Sequence, residues 1–317
     1  MNLNNIYIIL NIFLGSQFIP RCLNCYPKTV NSYLEKRIVE YIKSIYNGEV
    51  IENDRQLINP LELDIVIPEK KLAIEFNGDY WHSEKAGIDI NYHINKTEMC
   101  EKLNYQLIHI FEHEWLNPIK QNILKEKLKY LLGIDQYIIY ARKCVVKKIN
   151  TKEKNKFLNE NHIQSEDKSK VKLGLFYDNQ LVSLMTFIKP RFNKNYQWEL
   201  SRFASLNGYR IVGGASKLLK YFELNYKPKS LITYADRRFS KGNLYNKLGF
   251  NLLSKTSPNY FYVKGDELLT RYQCQKHKLQ KVLGDKFDKS VSETINMNKN
   301  GFIKIYDCGN YVFAKQY

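Results

Sequence analysis

Between Pro60 and Trp115 the chain reads LELDIVIP, then EKK, then LAIEFNGDYWHSE, and later QLIHIFEHEW. Two apolar runs on either side of a short charged turn, Pro68 to Lys71, predict a β-hairpin. A turn symmetric about Glu69 and Lys70 fixes its register. Facing residues then have numbers that sum to 139, and Asp64 faces Glu75. Facing side chains on one side of a hairpin have Cβ atoms about 4.5–5.5 Å apart, and like charges there repel. Two carboxylates held so close in apolar strands call for a hard divalent cation, Mg²⁺ or Mn²⁺, with Asp64 and Glu75 as its ligands. The segment Asn77-Gly78-Asp79-Tyr80-Trp81-His82 follows. Its glycine is expected to permit a sharp exit from the strand. The exit brings His82 to the edge of the carboxylate pair as a candidate general base. Taken singly, each residue is ordinary: most strand carboxylates are solvated and most isolated histidines are structural. It is their grouping on one hairpin and its exit that points to a site.

The pattern D-x10-E-x-N-G-x-Y-W-H, followed by a helix and the strand QLIHIFEHEW, resembles the core of PD-(D/E)XK nucleases. Within that superfamily it is similar to the very-short-patch repair endonucleases and the related phage homing endonucleases. The resemblance covers roughly residues 30–132. It implies a restriction-endonuclease-like mixed sheet flanked by helices, and catalytic roles for Asp64 and His82. It also implies an acidic residue on the preceding helix, for which Glu35 is the best match. Glu35 equally completes a capping box begun by Ser32, and both readings stand. Asn77 occupies the place where the superfamily usually has lysine. Lys96 on the following helix is the candidate to supply that charge, and His93 is a further catalytic candidate there.

The chain has 317 residues, which favours about two domains, and a net charge of +17. The charge is unevenly placed: residues 1–135 carry 15 Lys/Arg against 18 Asp/Glu, and residues 136–317 carry 34 against 14. A basic excess confined to one half favours a polyanionic partner, double-stranded DNA, gripped by that half. Six cysteines are scattered and make no disulfide framework, so a reducing cytoplasm is expected, that of a phage-infected host cell. The apolar run Ile6 to Leu14 is too short to span a bilayer and lacks a basic start, so no membrane partner is expected. Cys22 and Cys25 form half of a tetrahedral zinc site. The phrase C-x-x-C-Y-P-K resembles the tail of a zinc ribbon, here a remnant within an N-terminal segment 1–29.

Residues 30–133 are expected as the nuclease-like domain, with helices over Ser32–Tyr46, Tyr92–Leu103 and Pro118–Leu132, the last capped by Gly133. Residues 134–317 are expected as a second domain. It opens with a strand over Ile138–Ile149 and a helix over Thr151–Asn161. A hairpin follows about Asp178-Asn179, then a strand from Trp198. Arg210-Ile211-Val212-Gly213-Gly214-Ala215 precedes an apolar-faced helix, and a glycine turn there lets backbone N–H groups approach phosphate. The order R-x-x-G-x-A, then the strand Leu231–Asp236, then NLYNKLGF resembles GNAT acyltransferases over roughly residues 138–275. It is most similar to Mom-type DNA-modification enzymes of phages. The resemblance implies a second α/β domain with acyl-coenzyme A held at Arg210, Val212, Gly213, Gly214 and Ala215, and PNYFYV as a last strand. Asp236, Tyr245 and Glu199 are the candidate acid–base groups. GFIKIYDCGNYVFAKQY reads as a hairpin turning at Gly309-Asn310. Lys147, Lys148, Arg191, Lys194, Arg237, Arg238 and Lys241 fall in loops or strand ends and are expected to contact DNA phosphate.

The expected activity is therefore that of a Mg²⁺-dependent phage-type DNA endonuclease of the homing kind. The alternatives are a Mom-like DNA-modifying acyltransferase working through the second domain and a non-catalytic DNA-binding protein. Paired cuts require a homodimer or two successive nicks.

Overall fold

The computed structural model describes residues 33–134, 137–265 and 267–317. Cys22, Cys25, the apolar run 6–14 and the expected cap Ser32 lie outside the described residues. The chain divides into two compact units, Met1–Tyr41 and Ile42–Tyr317. Helix α1 (Tyr33–Ile45) carries Glu35 in its first turn. All the sheets belong to the second unit.

The first sheet has four strands in the order β1-β2-β3-β4: Ile51–Asp54, Leu63–Ile67, Leu72–Asn77 and Gln106–Phe111. The β2–β3 hairpin has the expected register, with Ile65 facing Ile74, Val66 facing Ala73 and Ile67 facing Leu72. Its turn is a short 3-10 segment, Pro68–Lys70, closed by Lys71 in left-handed backbone. Strands β3 and β4 run parallel, so a crossover must join them, and helix α2 (Tyr92–Lys102) supplies it. Every residue of β3 is buried, which is why LAIEF reads as a continuous apolar run broken by one carboxylate. Short helix α3 (Glu112–Leu116) follows β4, and helix α4 (Pro118–Leu132) ends at Gly133, whose φ of 76° suits glycine.

The expected single strand Ile138–Ile149 is two strands. Tyr137–Tyr140 (β5) and Val145–Lys148 (β6) are separated by a 3-10 turn at Ala141–Lys143. Lys217 Nζ donates to the Ala141 and Cys144 carbonyls on either side of that turn. Helix α5 (Thr151–Asn161) and strands β7 (Val171–Tyr177), β8 (Gln180–Ile188), β9 (Trp198–Ser205) and β10 (Tyr209–Val212) come next. They are followed by helix α6 (Gly214–Tyr226), strand β11 (Ser230–Asp236), helix α7 (Asn243–Lys247) and strand β12 (Asn251–Lys255). Strand β10 pairs in parallel with β5 as a separate ribbon.

The large sheet has seven strands in the order β12-β16-β11-β9-β8-β7-β6, where β16 is Asn310–Gln316. Strands β9 and β11 are its parallel pair, flanked by antiparallel neighbours. Helix α6 lays Leu218, Leu219 and Phe222 on this sheet, with Phe222 stacked on Phe187. Tyr260–Lys264 (β13) is not the last strand of that sheet. It joins β14 (Glu267–Thr270) and β15 (Ile303–Tyr306) in a three-stranded sheet packed on Cys274, Leu279 and Met297.

The expected hairpin at Gly309-Asn310 is absent as well. Strand β15 pairs with β13, while β16 pairs with β11 and β12, so Asp307-Cys308-Gly309 is a crossing between two sheets. Gly309 has φ 67°, and a Cβ there would lie 2.4 Å from the Thr256 carbonyl oxygen, so the crossing requires glycine. Among the described residues no helix is long and apolar enough to cross a membrane.

Candidate functional site

The hairpin register brings Asp64 and Glu75 together on the first sheet. Asp64 N–H donates to Glu75 Oε1 at 3.3 Å, and Phe76 N–H donates to Asp64 Oδ2 at 2.7 Å. Asp64 is half-buried and Glu75 is buried. Helix α2 turns Lys96 onto the pair: its Nζ lies 2.7 Å from Glu75 Oε2 and donates also to the Glu62 carbonyl at 2.7 Å. One ammonium thus faces two carboxylates. Burial, opposed by the Phe76 N–H and by Lys96, pushes Asp64 up to about 6. Burial and the charge of Asp64 push Glu75 up to about 8. Burial opposes the charge on Lys96, but Glu75 outweighs it and the ammonium is held above its ordinary value.

His82 reaches this cluster through the exit turn, where its N–H donates to the Gly78 carbonyl at 3.0 Å. Gly78 is not in left-handed backbone, and a Cβ there would make ordinary contacts, so the expected need for glycine does not hold. The turn is fixed instead by Asp79. Its carboxylate accepts from His113 N–H at 3.1 Å and lies 2.8 Å from His113 Nδ1, while its own N–H donates to Glu112 at 2.9 Å. His82 Nδ1 lies 3.3 Å from His93 Nε2 on α2. Burial, followed by the nearby Lys96 charge, lowers His82 to about 4. Burial, His82 and Lys96 lower His93 to about 3. Both imidazoles are therefore neutral at pH 7, and burial makes them weaker bases than free imidazole.

Asn77, expected among the catalytic residues, is directed elsewhere. Its amide nitrogen bonds His109 Nδ1 and the Glu75 carbonyl, each at 3.4 Å, and its Oδ1 is buried without a partner. His109, which the sequence reading passed over, faces Glu75 across β3–β4 and bonds Thr97 at 2.9 Å. The signal for it was a histidine inside the apolar strand QLIHIF. Among the described residues no three His, Cys, Asp or Glu side chains are grouped to hold a metal. The donor set available for a hard cation is the two carboxylates. It fits such an ion in kind, being carboxylate oxygens held side by side, and a bound cation would favour ionisation of both.

The second half places its candidates in two areas. Gly213 has φ 78° and begins α6, and a Cβ on Gly214 would lie 2.8 Å from Ile211. An open cleft of about 380 Å³ at this helix start is lined by Tyr140, Arg142, Val212, Gly213, Ser216 and Lys220. Arg210 is exposed on β10 and Ala215 is buried in α6. Strands β9 and β11 pair only from Trp198–Leu231 to Leu200–Thr233 and then diverge. A bulge sits in β9 where the divergence begins, between the pairs Phe187–Leu200 and Thr186–Arg202. Burial raises the phenol of Tyr245. Glu199 is taken up by Arg191, which donates from Nε at 2.9 Å and from Nη2 at 2.6 Å.

Of the residues expected to contact DNA, Lys147 and Lys148 are exposed on β6. Lys194 donates to the Pro190 carbonyl, and Lys241 donates to the Asn104 carbonyl at 3.2 Å. Arg237 and Arg238 are corrections to the sequence reading. Both are buried, Arg237 against Glu98 and Glu101 at 3.2 and 2.8 Å, and Arg238 against Glu114 at 3.1 Å. Guanidinium groups removed from water and matched by carboxylates are spoken for, and cannot also hold phosphate.

No family model and no curated protein matches the chain. Solved structures similar to part of it are acetyltransferases. Arabidopsis thaliana Naa50 in complex with a bisubstrate analogue is 11% identical, covers 55% of this chain and 99% of its own, and has a TM-score of 0.33. A GNAT family acetyltransferase from Elizabethkingia anophelis with acetyl-CoA bound is 13% identical over 55% and 99%, with a TM-score of 0.29. An N-acetyltransferase from Staphylococcus aureus Mu50 is 12% identical over 55% and 98%, with a TM-score of 0.32. These scores are low, and the fold is carried by the strands themselves. The large sheet, with its one parallel pair that separates after Leu200–Thr233, accords with the acyltransferase resemblance. None of the three is a nuclease, and the nuclease resemblance of the first sheet gains nothing from them.

Proposed function

We propose that the chain is a metal-dependent phosphodiester hydrolase acting on double-stranded DNA, an endonuclease built on a restriction-endonuclease-like first sheet. The observation that carries this reading is the pair Asp64 and Glu75, adjacent in apolar strands, with Lys96 the one ammonium paired with it among the described residues. The order of three antiparallel strands, a helix and a parallel fourth strand also accords with the nuclease resemblance. Asp64 and Glu75 would hold Mg²⁺, which when bound stabilises charge on the phosphate and on the leaving 3′ oxygen. His82, neutral near pH 7, accepts the proton of the attacking water as the water oxygen bonds to phosphorus and the bond to the 3′ oxygen breaks. Lys96, 2.7 Å from Glu75, opposes the rise in the Glu75 carboxyl and so favours the ionised form that metal binding needs. The test is plasmid relaxation in Mg²⁺ at low salt, wild type beside Asp64→Ala. Nicking or linearisation by the wild type alone supports the reading, and equal cutting by both removes it.

A second reading, acyl transfer by the GNAT-like sheet, is favoured by a separate observation. Strands β9 and β11 stop pairing after Leu200–Thr233, and Gly213, in left-handed backbone, opens helix α6 at the cleft lined by Arg142, Ser216 and Lys220. It predicts acyl-coenzyme A binding by calorimetry that is lost in Gly213→Trp. An absence of binding by the wild type rules it out.

A further inference from the structure

Helix α2 presents two faces. His93, Lys96, Thr97 and Cys100 are buried on one, while Glu98 and Glu101, three residues apart, lie on the other. The second face is held by residues from far along the chain. The Arg237 guanidinium, whose side chain is 1% exposed, spans both carboxylates. Lys255 adds an ion pair to Glu101 at 3.0 Å, and the Tyr311 hydroxyl donates to the same carboxylate. Thr97 reaches Cys308 at 3.4 Å, and Lys241 bonds the Asn104 carbonyl just past the end of the helix. The exit turn that delivers His82 is anchored from the same side. Ser83 forms a β-bridge with Ile305, and Lys304 pairs with Glu84 at 3.0 Å. Asp64 and Glu75 sit in a hydrogen-bonded sheet that fixes them without help. The helix bearing Lys96 and His93 has no strand partner of its own, and its outward face is bolted to the GNAT-like half.

We propose that Arg237 is a positioning residue for the carboxylate site, setting the place of Lys96 through Glu98 and Glu101, so that the GNAT-like half sets the geometry of the first sheet's site. This rests on the hydrolase reading for its consequence but not for its geometry, and the two are tested separately. The first readout needs no activity: acylation of buried lysines by an amine-reactive reagent, followed residue by residue by mass spectrometry. Lys154, buried against Asp167 in the other half, is the internal control. In Arg237→Met the Lys96 rate is expected to rise about tenfold or more while Lys154 stays protected, as for a local opening. Arg237→Lys, which keeps the charge without the fork, should fall between. The second readout is Mg²⁺-dependent cutting, where kcat should fall about 10–100-fold with KM for DNA unchanged, as when a group supporting a site residue is lost. An unchanged Lys96 rate in Arg237→Met overturns the proposal. So does simultaneous opening of Lys96 and Lys154, since Arg237 would then hold the whole fold. A wild type that cuts no DNA removes the hydrolase reading and leaves the labelling result to decide the positioning role.

Discussion

Among the described residues two lysines are buried against a carboxylate, and their surroundings differ. Lys96 meets Glu75 at 2.7 Å in the first sheet, and Lys154 meets Asp167 at 3.0 Å in the GNAT-like half. Asp167 is fully engaged, with Thr186 Oγ1 donating to its other oxygen at 2.6 Å. Burial works against its charge, yet the bonds from Thr186 and Lys154 outweigh burial and hold the carboxyl at about 2. Glu75 has a lysine just as close and is pushed the other way, to about 8. Burial is the larger cause at Glu75, Asp64 beside it adds to the rise, and no hydroxyl donor like Thr186 offsets either. One ammonium against one carboxylate closes a charge. One ammonium against two leaves the second carboxyl unmatched, and on the proposed reading a bound cation would favour ionisation of both.

Removing the second carboxylate should have the largest consequence. Asp64→Asn is expected to take Mg²⁺-dependent plasmid cutting to background while raising the melting temperature of the metal-free protein at pH 8. Calorimetry beside the relaxation assay reads both, and a fall in melting temperature would put Asp64 with the structural carboxylates. Next, His82→Ala should lower the cutting rate by about 10²–10⁴-fold, the usual worth of a general base. In the other half, Lys154→Met leaves Asp167 buried without its cation and should cost about 3–5 kcal/mol in denaturant unfolding.

The two halves should also answer oppositely to pH. Asp64 and Glu75 have folded values above their unfolded ones. Their contribution to stability is full below about pH 4 and is lost as the pH rises through about 6 and about 8. Asp167 contributes above its ordinary value of 3.8 and loses that contribution as the pH falls towards about 2. Metal-free protein should therefore melt progressively lower from about pH 5 to pH 8, and Mg²⁺ should flatten that slope. A slope indifferent to Mg²⁺ would separate the carboxylate pair from metal binding. The smallest effect is expected at Lys147 and Lys148: each change to Gln should reduce the salt dependence of DNA binding by about one unit of slope.

The sequence exposed what short-range rules govern. The charged turn at Glu69-Lys70 set the register that joins Asp64 to Glu75, and helix α4 starts and stops where Pro118 and Gly133 say it should. Lys96 was legible because α2 follows the hairpin directly. Arg237 and Arg238 were misread because their partners lie 136–139 and 124 residues away, and an arginine in a loop looks the same whether its carboxylate is near or absent. The same distance hid the division of 303–316 between two sheets. Local pattern reports two strands and a glycine turn, and says nothing of which neighbours each strand will find.

The strand Asn310–Gln316 has a bearing on how the molecule is assembled during synthesis. It lies between β11 and β12 inside the seven-stranded sheet. Until it leaves the ribosome, β11 presents an open edge and β12 has nothing to pair with. Nascent chains stalled before residue 310 should hold a large sheet with an unfilled slot, a hazard for pairing with another chain. The sheet closes only when this strand is delivered, which makes its insertion a late, long-range event in folding.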